Sequence, residues 1–168
     1  MTNPQLQNLC RQIRHDILVS TTAAGSGHPS SSLSAVELMA GLMFGGIFRA
    51  DLKKPAHPAN DYLVFSKGHA APLLYALYAA AGVVTPQAVL TLRRSDSRLQ
   101  GHPMPDFPYT EIPTGSLGQG LSAGLGMAIA AQLDRSPARV YVLLGDSEMA
   151  EGSVWEAMAC ASHYSLDN

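Results

Sequence analysis

Arg139-Val140-Tyr141-Val142-Leu143-Leu144 runs directly into Gly145-Asp146-Ser147-Glu148. The first six residues form a short apolar run rich in β-formers, the pattern of a buried parallel strand. Glycine and aspartate then stop it. Beyond Glu151-Gly152 the chain becomes helical, through Ser153-Val154-Trp155-Glu156 and an alanine-rich stretch. The reading is strand, tight turn, helix. Open α/β sheets place ligands at the carboxyl ends of their strands, so Asp146 puts a carboxylate where a ligand would sit. Ser153 and Glu156 have capping-box spacing, which predicts a helix start at Ser153.

Working outward, the same grammar recurs. Asp61-Tyr62-Leu63-Val64-Phe65 is a second short strand, followed by Ser66-Lys67-Gly68-His69 and a helix opened by Pro72. His69 therefore lies at a strand-to-helix turn. Lys67 is read as a surface lysine, with a phosphate contact as the alternative. Residues 5–23 carry Leu6, Leu9, Cys10, Ile13 and Ile17 at helical spacing. Gly25-Ser26-Gly27-His28-Pro29 breaks that helix, and Ser34 with Glu37 predicts another start. Gly45-Gly46 ends it. Thr85-Pro86 caps a short helix. A long proline-rich loop from Gly101-His102-Pro103 leads into Thr114-Gly115-Ser116-Leu117-Gly118-Gln119-Gly120 and a helix over 121–133. Loops of that length are uncommon unless functional. The glycines can admit an anion to the helix start or bring the helix close to its neighbours. A dinucleotide or P-loop reading fails, because no strand leads directly into the loop and no Lys-Ser/Thr pair follows it.

Composition sets limits. The 168 residues suffice for one domain with a sizeable core. Hydrophobic residues make up 46% and charged residues 14%, the profile of a well-buried α/β domain. A formal charge of −2 leaves no footprint for nucleic acid. No signal peptide is evident and no apolar run is long enough to span a bilayer, so a cytoplasmic location is expected, without nucleic-acid or membrane partners. Cys10 and Cys160 read as buried free thiols in a reducing compartment. His15 and His57 carry no functional case.

His28, His69 and His102 each follow a glycine on a loop. Three such cases, with a glycine loop and a Gly-Asp turn after a strand, predict a convergent site. Two chemistries suit it: proton transfer by imidazoles near neutral pH, or a zinc site using the three rings.

Ser26-Gly27-His28-Pro29, Ser66-Lys67-Gly68-His69-Ala70-Ala71-Pro72, Gly101-His102-Pro103, Gly115-Ser116-Leu117-Gly118-Gln119-Gly120-Leu121 and the stretch from Gly145 to Ala157 resemble the motifs of transketolases, in order and spacing. The form is that of the shorter, animal-like members, and the resemblance covers nearly the whole chain. It implies an α/β fold, a mostly parallel sheet with helices on both faces. Residues 1–168 would be an incomplete diphosphate-binding domain, without the pyrimidine-binding and C-terminal domains. It implies thiamine diphosphate and Mg²⁺ (or Ca²⁺) as cofactors, with Asp146 on the metal. Gly115, Ser116, Leu117, Gly145 and Ser147 would line the cofactor, and Ser31 and His69 would lie near the thiamine. His28, His69 and His102 would be the catalytic residues, with His28 and His102 touching the sugar-phosphate hydroxyls. Glu151 would be a buried carboxylate communicating across a homodimer interface.

The implied reaction moves a two-carbon ketol unit from a ketose phosphate to an aldose phosphate, as in the pentose phosphate pathway. The cofactor is the electron sink. This chain departs from the pattern at Ser147, where the family has glycine. The family's second metal-ligating Asn falls about thirty residues after the Asp, beyond Asn168, which is not assigned to the metal. The chain alone is therefore expected to be inactive. It would need a complementing C-terminal chain, or act as a non-catalytic partner-binding domain. Deoxyxylulose-phosphate synthase is the rival within thiamine enzymes.

Overall fold

A computed structural model of the chain describes residues 2–168. The chain divides into two compact units, one of Met1–Arg49 with His69–Pro103, the other of Ala50–Gly68 with Met104–Asn168.

The first unit is helical: α1 Asn3–Ala24, α2 Pro29–Leu33, α3 Val36–Phe44, α4 Ala71–Ala80 and α5 Pro86–Val89. Helix α1 buries Ile13 and Ile17 on the face expected from their spacing. Helix α4 is its central element. Its residues from Ala71 through Tyr78 are all buried, and α1, α2, α3 and α5 pack against it. A helix apolar all round belongs inside a core. Each Leu buried there contributes roughly 1.5–3 kcal/mol of transfer free energy.

Two helix starts differ from expectation. Pro29 sits in the first turn of α2, where its missing N–H costs nothing, so the chain turns helical before Ser34. Ser34 then ends α2, its hydroxyl donating to Ser31 O, and α3 begins at Val36. The start foreseen at Ser153 lies one residue earlier, as described below.

The second unit holds the sheet. Strands β1 Tyr62–Phe65 and β2 Val140–Leu143 pair in parallel, with Tyr62 opposite Val140 and Phe65 opposite Leu143. Helix α6 Gln119–Leu133 packs on both strands, and α7 Gly152–His163 packs on α6. The close approach is written in glycine. A Cβ at Gly124 would lie 2.5 Å from Val142 Cγ2, and one at Gly120 would collide with Ser66. The fold is helix-rich with a small parallel sheet, in line with the α/β expectation. Cys10 is buried as expected, but Cys160 is exposed, because it lies on the outer face of α7. No helix among the described residues is long and apolar enough to cross a membrane.

Candidate functional site

In the first unit, three loops deliver the three histidines to one place. The His28 and His69 rings meet edge-on with centroids 4.8 Å apart. His69 and His102 do the same at 5.1 Å. Pro29 fixes the chain just after His28, and the short 3₁₀ turn Gly68–Ala70 carries His69 into α4. The buried Tyr75 of α4 anchors the third loop, its hydroxyl donating to Gln100 O at 2.9 Å and lying 3.3 Å from His102 O. Among the described residues no group of His, Cys, Asp and Glu has the arrangement of a metal site, so the zinc alternative has no geometric support. Ser31 is half-buried on α2, near His28 in the chain.

Burial, then the charges of His69, His28 and Arg93, hold the His102 imidazole below its ordinary range. Its unfolded counterpart binds a proton more readily. The folded chain therefore has its full stability from this group above about pH 6.5 and loses it as pH falls toward the depressed folded value. Thermal melts between about pH 7 and 5 are expected to drop more steeply for the wild type than for His102→Gln, which removes the titration. Equal slopes would mean that His102 protonates as freely in the fold as in the unfolded chain.

In the second unit, the turn after β2 carries Asp146, which is exposed at the carboxyl end of the strand. Among the described residues its carboxylate makes no hydrogen bond or ion pair. Ser147 and Glu151 are exposed beside it, and a short 3₁₀ turn, Ser147–Ala150, leads to α7. Glu151 is the residue before α7 and is exposed in the single chain. The buried carboxylate is Glu148, only 2% exposed.

Glu148 Oε1 accepts from Ser66 Oγ at 2.5 Å and from Gly118 N at 2.9 Å, and its Oε2 accepts from Gly145 N at 2.9 Å. Ser66 Oγ in turn accepts from Gly120 N at 3.1 Å. The anion at the start of α6 is thus a side chain of the protein itself. Glu148 is absent from the set expected from sequence, because a glutamate in a Gly-Asp-Ser-Glu turn reads as a solvated turn residue. Ser153 does not cap α7. Its hydroxyl turns across to donate to Gly118 O at 3.0 Å, and Glu151 holds the N-cap position.

The glycine loop lies on the same unit. Gly115 and Gly118 take φ of 130° and 83°, and Ser116 and Leu117 between them are exposed. Among the described residues the backbone N–H groups of Ser116, Leu117, Asp146 and Ser147 donate to no partner. The N–H groups of Gly118, Gly120 and Gly145 are all occupied. Asn168 stands at the other end of β2, its carbonyl accepting from Val140 N at 2.8 Å and its side-chain amide donating to Ala128 O.

Comparison with known proteins fits this geometry. The family model described as "Transketolase, thiamine diphosphate binding domain" matches residues 5–168, so the chain belongs to that family. The chain is 51% identical over 164 residues to the transketolase of Homo sapiens, covering 97% of this chain and 26% of the relative. It is 39% identical to one of the subunits of the apulose-4-phosphate transketolase of Actinobacillus succinogenes, covering 98% of this chain and 60% of that one. Among solved structures, transketolase from Leishmania mexicana superposes with a TM-score of 0.90 at 30% identity, over 96% of this chain and 26% of that one. The chain thus spans about a quarter of the length of the Homo sapiens and Leishmania mexicana transketolases.

Proposed function

We propose that residues 1–168 are the diphosphate-binding part of a transketolase, which transfers a two-carbon ketol unit from a ketose phosphate to an aldose phosphate. The observation that carries this reading is the meeting of His28, His69 and His102, from three separate glycine loops, in a chain of this family. The residues present fit thiamine diphosphate with Mg²⁺ or Ca²⁺. Asp146 offers a free oxygen ligand, which suits a hard cation. Four unpaired N–H groups, on Ser116, Leu117, Asp146 and Ser147, suit phosphate oxygens.

When bound, the cofactor supplies the electron sink for cleavage and formation of a C–C bond. The chain's own residues do the rest. Asp146 would hold the metal, while Gly115, Ser116, Leu117, Gly145 and Ser147 would line the diphosphate. Ser31 and His69 would face the thiamine. His102, kept below its ordinary range, is neutral near pH 7 and accepts a proton from a sugar hydroxyl. His28 and His69 orient the hydroxyls. Glu151, exposed here, meets a second protomer.

The pyrimidine-binding part would come from further chain or from a second polypeptide. The second source has one specific support, the Actinobacillus succinogenes relative, whose name makes it one subunit of its transketolase. The test is a ketose-plus-aldose transfer assay with a chain that carries the pyrimidine-binding domain. Transfer is expected only in the complemented sample, and His102→Ala is expected to lower it about 10²–10⁴-fold. Cofactor binding without transfer in that sample would instead indicate a non-catalytic domain.

A further inference from the structure

Glu148 is buried on a four-residue 3₁₀ turn, yet its carboxylate reaches three separate segments. It takes Ser66 at the end of β1, Gly118 in the glycine loop and Gly145 at the end of β2. Through Ser66 it also reaches Gly120. A turn of that length has little rigidity of its own. Charge-assisted hydrogen bonds are about twice as strong as neutral ones, and linked bonds reinforce one another. A buried carboxylate is costly without partners, and here every partner is a donor.

Resting on the reading above, we propose that Glu148 is the positioning residue of the diphosphate cradle. It fastens the 115–120 loop to the 145–151 turn by occupying the N–H groups of Gly118 and Gly145. The N–H groups that remain unpaired flank those two, at Ser116 and Leu117 on one loop and at Asp146 and Ser147 on the other. Glu148 therefore selects which donors a phosphate can use and sets the spacing between them. It also settles the sign of its own effect. If its negative charge mattered most, removing it would tighten the hold on a diphosphate. If it positions the donors, removing it loosens that hold.

Glu148→Gln separates these. Glutamine keeps the shape and one acceptor oxygen, but sets an NH₂ group against at least one N–H donor. In the purified protein, amide exchange at Gly145 or Gly118 is expected to speed up about tenfold, the equivalent of one lost hydrogen bond. The amides of β1 and β2 are expected to keep wild-type rates. Calorimetric titration with Mg²⁺ and thiamine diphosphate is expected to give a Kd about tenfold weaker. Ser66→Ala, which removes the hydroxyl that joins Glu148 to Gly120 and leaves the bonds of Glu148 to Gly118 and Gly145, is the second variant should the first fail to fold. Its expected changes have the same direction and smaller size.

Wild-type exchange at both glycines in Glu148→Gln overturns the proposal. So does equal or tighter cofactor binding once exchange has risen. A wild-type protein that binds no thiamine diphosphate overturns the functional reading itself and the positioning role with it, a result that no variant is needed to see.

Discussion

Asp146→Ala is expected to weaken binding of Mg²⁺ and thiamine diphosphate by at least about 100-fold while leaving the fold intact. Loss of an outer-sphere partner already costs a metal site about 10–100-fold, and a direct ligand is worth more. The stability half follows from the surroundings. The carboxylate is exposed and has no partner among the described residues, so its removal breaks no contact. Surface changes of that kind stay within about 0.5 kcal/mol. Calorimetry and a thermal melt on the same sample check both halves. A variant that binds normally removes Asp146 from the metal. A variant that melts far below the wild type makes the carboxylate structural.

Gly118→Ala is expected to have the largest effect on stability. Gly118 sits at φ 83°, where an L-residue costs about 1–2 kcal/mol. A Cβ there would lie 2.5 Å from Ser153 Oγ and 2.7 Å from Glu151 Cβ. Overpacking of this sort adds about 1–3 kcal/mol. A total near 3 kcal/mol corresponds to a fall in Tm of about 6–12 °C for a chain of this size. Gly126→Ala is the control on α6. Nothing lies within 4 Å of its Cβ position, and alanine is the better helix former by about 1 kcal/mol. Its Tm should rise slightly. A Gly118 variant that melts with the wild type would show that the loop relaxes around the added methyl.

The elements were legible where the signal is local. Both strands, the α1 face and the Thr85 cap follow from patterns within a few residues, and the structure places them within a residue or two. The strand over 139–144 is shorter than its apolar run. Pairing stops where β1 ends at Phe65, a limit set by the partner strand. The capping boxes at Ser34 and Ser153 misled for a related reason. A serine near a helix start caps only where the backbone brings its oxygen onto the N–H of the second or third helical residue, and these two hydroxyls instead turn to Ser31 O and Gly118 O.

By itself the sequence determined the family, the helix and strand types, and the loops that carry His28, His69, His102 and Asp146. Those are properties of residue type and spacing. The tertiary structure decided how the groups pair. It brought three imidazoles into ring contact across more than seventy residues of chain. It left Glu151 exposed and buried Glu148, three residues earlier on the same turn. Which of two nearby glutamates turns inward depends on where the donors of Gly118, Gly145 and Ser66 arrive. Hydrogen bonds between segments dozens of residues apart have no local signature, so only the folded chain shows them.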